Sequence, residues 1–131
     1  GNAGFMVGIL MVGLKRFYEA TGDPRVADSI VQAADYCIDT MWVPERSSFR
    51  YTCCPESSVG GSADMRILKG VATAYQFTGK KRFKDVLLAG VQSSMGGYRP
   101  RAHRGIGKGI SSPMRGAPQV LVELPQTDGE R

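Results

Sequence analysis

The chain has 131 residues, 42% of them hydrophobic, a formal net charge of +5 and three cysteines. That length suits one domain or part of one, with enough apolar residues for a core, and the longest apolar run, Ile9 to Val12, is far too short to span a membrane. Three cysteines do not make a disulfide framework, and the chain carries no P-loop, dinucleotide-binding glycine motif, HExxH or Gly-x-Ser-x-Gly.

A helix is expected from Ala3 to about Ala20. Phe5, Met6, Val7, Ile9, Leu10, Met11, Val12, Leu14, Phe17 and Tyr18 leave it little polar face, so it reads as buried on every side. Its glycines permit close helix–helix approach. Gly22 is suited to stop this helix, Asp23 to cap the next, and Pro24 to stand at its first position. The second helix runs to about Trp42 as an amphipathic element, with Val26, Ile30, Val31, Ala34, Cys37, Ile38 and Met41 on one side. Val43 to Ser62 is irregular, with a strand-like piece at Ser48 to Thr52. Ser62 is the expected cap of a third helix, Ala63 to Thr78, again mostly apolar. Gly79 stops it. A fourth, amphipathic helix runs from about Lys81 to Ser94, with a weaker start because Lys80 stands where Asp23 caps the second. Met95 to Ser112 is Gly- and Arg-rich. Pro113 to Leu124 reads as a short helix, with Gln119 to Leu124 equally suited to a strand, and Pro125 to Arg131 as a frayed tail.

Tyr18-Glu-Ala-Thr-Gly-Asp-Pro-Arg-Val-Ala-Asp28 recurs as Tyr75-Gln-Phe-Thr-Gly-Lys-Lys-Arg-Phe-Lys-Asp85, at an offset of 57 residues that Gly13 and Gly70 also keep. The chain therefore holds one helix–turn–helix unit twice, and such units bury their apolar faces against neighbours. The expected fold class is all-α: repeated helical hairpins over residues 1–94, inner and outer helices alternating, followed by a basic segment over 95–131. The short turns fall on one face. The two long connections fall on the other, beside the inner-helix N-termini, and that face is where function is expected.

The stretch from Phe5 to Asp35, with Phe-Met-x-Gly-x-Leu leading into Tyr-Glu-x-Thr-Gly-Asp-Pro-Arg-Val-x-Asp, resembles the α/α-toroid, or six-hairpin, carbohydrate-active enzymes. A looser copy runs from Leu68 to Val86, and the resemblance covers roughly residues 4–94. It implies a partial toroid, the C-terminal part of a ring. It also implies cleavage of polysaccharide by lyase or hydrolase chemistry, a cleft on the long-loop face, and a periplasmic or secreted setting. The start at Gly1-Asn2 without an initiator Met reads as the interior of a longer protein. Implied partners are a carbohydrate, polyanionic in view of Arg99, Arg101, Arg104, Lys108 and Arg115, and either the rest of the ring or a second copy through exposed inner helices. No membrane partner is expected. Basic residues with few interleaved aromatics argue against a nucleic-acid module.

Within the loops, Arg50 and Tyr51 fit a lyase: an arginine neutralises a uronate carboxylate, and a tyrosine transfers the proton. His103 and Glu56 are the other catalytic candidates, with Glu45 and Asp64 as further acids near the cleft face. Trp42, Tyr98, Arg101 and Arg104 are candidate sugar contacts, although Trp42 also suits plain packing at a helix end, and His103 plain solvation. Cys53-Cys54-Pro55 is similar to a Cys-Cys-Pro of β-L-arabinofuranosidases in the same fold class, where cysteines bind zinc. No cofactor is the primary expectation, with zinc on Cys53 and Cys54 the secondary one. The alternative to an enzyme is a non-catalytic helical-repeat scaffold that binds a partner protein.

Overall fold

A computed structural model describes residues 3–60, 63–96, 114 and 116–122. The elements are α1 (Gly4–Thr21), α2 (Pro24–Met41), β1 (Trp42–Val43), a single 3₁₀ turn (Pro44–Arg46), β2 (Ser48–Phe49), α3 (Met65–Thr78) and α4 (Lys81–Gly96). A last helical segment covers 114 and 116–122, settling the helix-or-strand alternative there as helix. The fold is all-α with one antiparallel two-stranded ribbon in the first long loop, pairing Trp42 with Phe49 and Val43 with Ser48.

The repeated Tyr-x-x-Thr-Gly is a turn device used twice. Gly22 (φ 66°) and Gly79 (φ 64°) take the left-handed conformation that ends α1 and α3. Their N–H groups donate to the Tyr18 and Tyr75 carbonyls at 2.8 and 2.7 Å. The threonine bridges the break. Thr21 Oγ1 donates to the Phe17 carbonyl and accepts the Asp23 N–H, and Thr78 does the same with Ala74 and Lys80. Backbone groups left over at a helix end thus find partners without a longer loop.

The copies differ after the turn. Asp23 caps α2, accepting the Arg25 N–H at 3.0 Å, while its carboxylate holds the Arg25 guanidinium. Lys80 offers α4 no such acceptor. The start of α4 is held instead by Arg82, which reaches Asp35 and Asp39 of α2 at 3.0 and 2.5 Å. The third helix begins at Met65 rather than Ala63, with Asp64 as its cap, accepting the Arg66 N–H at 2.9 Å; Ser62, the expected cap, lies outside the described residues.

Around α3, the central helix, pack α1, α2 and α4. Ile67, Leu68, Val71, Ala72 and Ala74 are buried in a core shared with Met11, Ala34, Cys37, Met41, Phe83, Leu87 and Val120. The far end of α4 is tied back where Ser94 Oγ donates to the Ala63 carbonyl at 2.6 Å. Against this, α1 departs from the expectation of burial on every side. Only Gly4, Gly8 and Met11 are buried, and Met6, Ile9, Leu10 and Phe17 are exposed among the described residues. Apolarity all round a helix reports its affinity for neighbours, and α3 covers one side of α1.

That side is built on absent side chains. A Cβ on Gly8 would lie 2.6 Å from the Arg66 carbonyl carbon, so the α1 and α3 backbones meet there. A Cβ on Gly13, on the other side, would meet none of the described residues within 4 Å. Gly8→Ala is expected to destabilise the fold by about 1–3 kcal/mol through overpacking. Gly13→Ala is expected to stabilise it by up to about 1 kcal/mol through helix propensity. Urea denaturation followed by circular dichroism checks both signs.

Candidate functional site

The first long loop folds back over the N-terminal ends of α1 and α3. The segment 48–52 is the middle of a small ribbon. Arg50 N–H donates to the Met41 carbonyl (2.8 Å), Tyr51 N–H to that of Ser58 (3.2 Å), and the Gly60 N–H to that of Phe49 (3.1 Å). The first N–H of α1, on Gly4, donates to the Tyr51 carbonyl at 2.9 Å, and Ala3 bridges to Thr52. The loop thereby satisfies a helix N-terminus that lacks a side-chain cap.

Between this loop and the two helix ends lies an open pocket of about 270 Å³, lined by Phe5, Phe49, Arg50, Tyr51, Ser58 and Asp64 among others. Phe5 organises its aromatic wall: the Tyr51 ring stacks at 5.7 Å between centroids, and the Arg66 guanidinium sits 4.9 Å from the ring centre. Asp64 holds that guanidinium at 2.5 Å, and this hydrogen bond raises the Arg66 pKa above its ordinary value. Arg50 is half-buried. It donates to the Ser57 carbonyl (3.3 Å) and pairs with the exposed Glu56 at 3.4 Å. The site therefore offers two guanidinium groups, a phenol and an aromatic ledge. Its acids, Glu56 and Asp64, are both engaged with arginines.

Of the residues singled out in the sequence, Arg50 and Tyr51 line this pocket and Glu56 joins it through its ion pair. Trp42 lies elsewhere, edge-on to Phe49 at 4.8 Å and packed against the core, which matches its plain packing reading. Glu45 is exposed in the 3₁₀ turn. Tyr98, Arg101, His103 and Arg104 lie outside the described residues. Phe5 and Arg66 were not singled out as site residues. The signal for Arg66 was available, because Asp64-x-Arg66 repeats the Asp23-x-Arg25 clamp.

The thiols form a separate cluster where the loop meets α2, next to a cis Cys54–Pro55 peptide. All three cysteines are free, Cys37 and Cys53 buried and Cys54 exposed. Cys53 Sγ lies 2.9 Å from the Tyr36 hydroxyl. Burial, with the neighbouring Cys53, pushes the Cys37 thiol up to about 12 from its ordinary 9.0. The hydrogen bond to Cys53 raises both Tyr36 and Cys54. Among the described residues no three His, Cys, Asp or Glu side chains converge to hold a metal ion. Cys53 and Cys54 are two donors where zinc takes about four, so they do not by themselves fit that ion.

Comparison of the chain with protein-family models, with curated proteins and with solved structures returned no match.

The thiol cluster sets an alkaline limit. Cys37 stays protonated in the fold up to about 12, while in the unfolded chain it ionises near 9.0. Its contribution is complete below the unfolded value and is lost as pH rises through that window. Tyr36 and Cys54 shift in the same direction. The urea midpoint is expected to fall steadily from about pH 9 upward. In Cys37→Ala that fall is shallower, though the midpoint at neutral pH is lower; a pH series of urea melts on both proteins measures it.

Proposed function

We propose that the chain is part of a carbohydrate-active α/α-toroid enzyme whose loop face takes an acidic polysaccharide. The observation that supports this reading is the pocket at the N-terminal ends of α1 and α3, which Arg50 and Tyr51 both line and where the Tyr51 ring lies against Phe5. A uronate ring suits that lining. Its carboxylate pairs with the Arg50 guanidinium, in competition with Glu56, and its apolar ring face lies on the aromatic wall.

Lyase chemistry is favoured over hydrolysis. Hydrolysis asks for two carboxyl groups working across the glycosidic bond, and the two acids at this pocket are held in ion pairs with Arg50 and Arg66. Elimination asks for less. With the carboxylate neutralised by Arg50, the C5 proton becomes more acidic. The Tyr51 oxygen accepts that proton, the C5–H electron pair forms a C4–C5 double bond, the C4–O bond breaks, and the departing oxygen takes the proton back from the Tyr51 hydroxyl. His103, Tyr98, Arg101 and Arg104 of the basic segment are the further catalytic and substrate-binding candidates in this reading.

A non-catalytic helical-repeat scaffold is the second reading. It is favoured by one specific observation, the exposed apolar side of α1.

Calorimetric titration separates the two. A tetra-uronate is expected to bind the chain and a neutral tetrasaccharide of the same linkage not to. Arg50→Ala is expected to weaken uronate binding about tenfold or more, the scale of one charge-assisted pair. Equal binding of both sugars, or of neither, removes the acidic-polysaccharide reading.

A further inference from the structure

The two hairpins are copies, so each surface of α3 has a counterpart on α1 displaced by 57 residues. On α3, the surface that receives α1 is known in detail. Gly8 rests on the Arg66–Ile67 backbone, and the Met11 side chain fills the space beside Gly70 where a Cβ would otherwise stand. Ile67 and Ala74, which flank Gly70 on the same line of α3, are 1% and 0% exposed. Their counterparts on α1 are Leu10 and Phe17, and the counterpart of Gly70 is Gly13. Leu10 is 57% exposed and Phe17 55%, and a Cβ on Gly13 would meet none of the described residues within 4 Å. Met6 extends the same line. Residues 6, 10, 13 and 17 follow the alternating four-and-three spacing of a helix–helix seam.

We infer that the Met6–Leu10–Gly13–Phe17 seam of α1 is a docking seat for an amphipathic helical hairpin of this same repeat, whose inner helix lays a long flexible side chain over Gly13 as Met11 lies over Gly70. The seat continues the α1–α3 interface by one repeat step, and that continuity names the occupant. A glycine at this position is costly in a helix left bare, since Ala would be better by up to about 1 kcal/mol. It is what a close helix–helix approach requires. A second full copy of the chain is a poorer occupant, because the complementary side of its own α1 is already spent on α3. The matching side of its α3 is covered too: Gly116 lies so close to α3 that an added Cβ would be 2.8 Å from Met65 Cβ. Arg16 and Glu19, paired with each other at 3.3 Å, flank the seam and keep its edge wet.

The inference is independent of the carbohydrate reading and is tested apart from it. The probe is a fluorescent peptide of residues 3–43, the α1–α2 hairpin with its α3-facing side uncovered, titrated with the full 131-residue chain. Anisotropy is expected to show saturable binding, with helicity of the peptide rising on association. Gly13→Leu puts a side chain into the seat at a position where a Cβ meets none of the described residues within 4 Å, so its melting is expected to be unimpaired and its affinity for the peptide about tenfold or more lower. Val122→Ser, on an exposed apolar residue of the last helical segment, is expected to bind as the wild type does. Absence of saturable binding to the wild type, or equal binding by Gly13→Leu, overturns the inference. So does a wild-type dimer in sedimentation equilibrium that Gly13→Leu dissociates, which would give the seam to a second copy. Uronate titration of Gly13→Leu keeps the two proposals separate, because the seam and the pocket involve different residues.

Discussion

The close approach of α1 to α3 at Gly8 is the constraint on which the rest of this fold depends. Two helix backbones meet there with no side chain between them, against the Arg66–Ile67 peptide. That contact fixes where α1 begins relative to α3, and so brings Phe5 beside Arg66 and Asp64. It also fixes the height at which the first N–H of α1 meets the Tyr51 carbonyl, which seats the loop. The pocket is therefore a consequence of helix packing before it is a property of the loop. A wider helix spacing would separate the Arg66 guanidinium from Phe5 and open the aromatic wall, with every local signal in the sequence unchanged.

The duplicated turn shows how a repeat can keep its geometry while its electrostatics diverge. Thr–Gly closes both hairpins by the same hydrogen bonds, since these use only a hydroxyl and a backbone that tolerates positive φ. The cap is a separate matter. Asp23 serves α2 locally, whereas Lys80 frees Arg82 of a near partner, and Arg82 crosses to Asp35 and Asp39. A local stabilisation has been exchanged for a tertiary one that links α4 to α2. At the surface each such pair contributes only about 0–1 kcal/mol. Its larger effect is on register, because a guanidinium that meets two carboxylates one helical turn apart holds α4 at one height along α2.

What the sequence made legible follows from the range of each signal. Helix ends at Gly22 and Gly79, the Asp23 cap and the Pro24 start are local chemistry, and each is found where the residues put it. Choosing between Ser62 and Asp64 as a cap is a two-residue question between two good acceptors. The Arg66 guanidinium, which Asp64 can also hold, favours the second. The burial of α1 was not legible. Its residues are as apolar as those of α3, yet only neighbours turn apolarity into burial, and Leu10 and Ile67 differ in neighbours rather than in kind. The same limit applies at the pocket. Arg50, Tyr51 and Glu56 are close in sequence and were read together, while Phe5 and Arg66 arrive from two helices and meet only through the α1–α3 contact.

The pocket and the exposed seam share one element, and this ties their energetics. Phe5 faces the pocket and Met6, the next residue, begins the seam. Successive residues on a helix point about 100° apart, so α1 carries one surface on its α3 side and the other away from it. With one side bare, α1 has fewer buried contacts than α3, and segments with few buried contacts open at lower free energy. Its first turn is also where the loop is pinned, by a single Gly4 to Tyr51 hydrogen bond and the Ala3–Thr52 bridge. A helix laid on the seam would add contacts to the weakest of the elements that build the pocket, and would raise the cost of opening it without touching Arg50 or Tyr51. Coupling of that kind requires no change of shape, only a change in how often the α1 end of the pocket is in place.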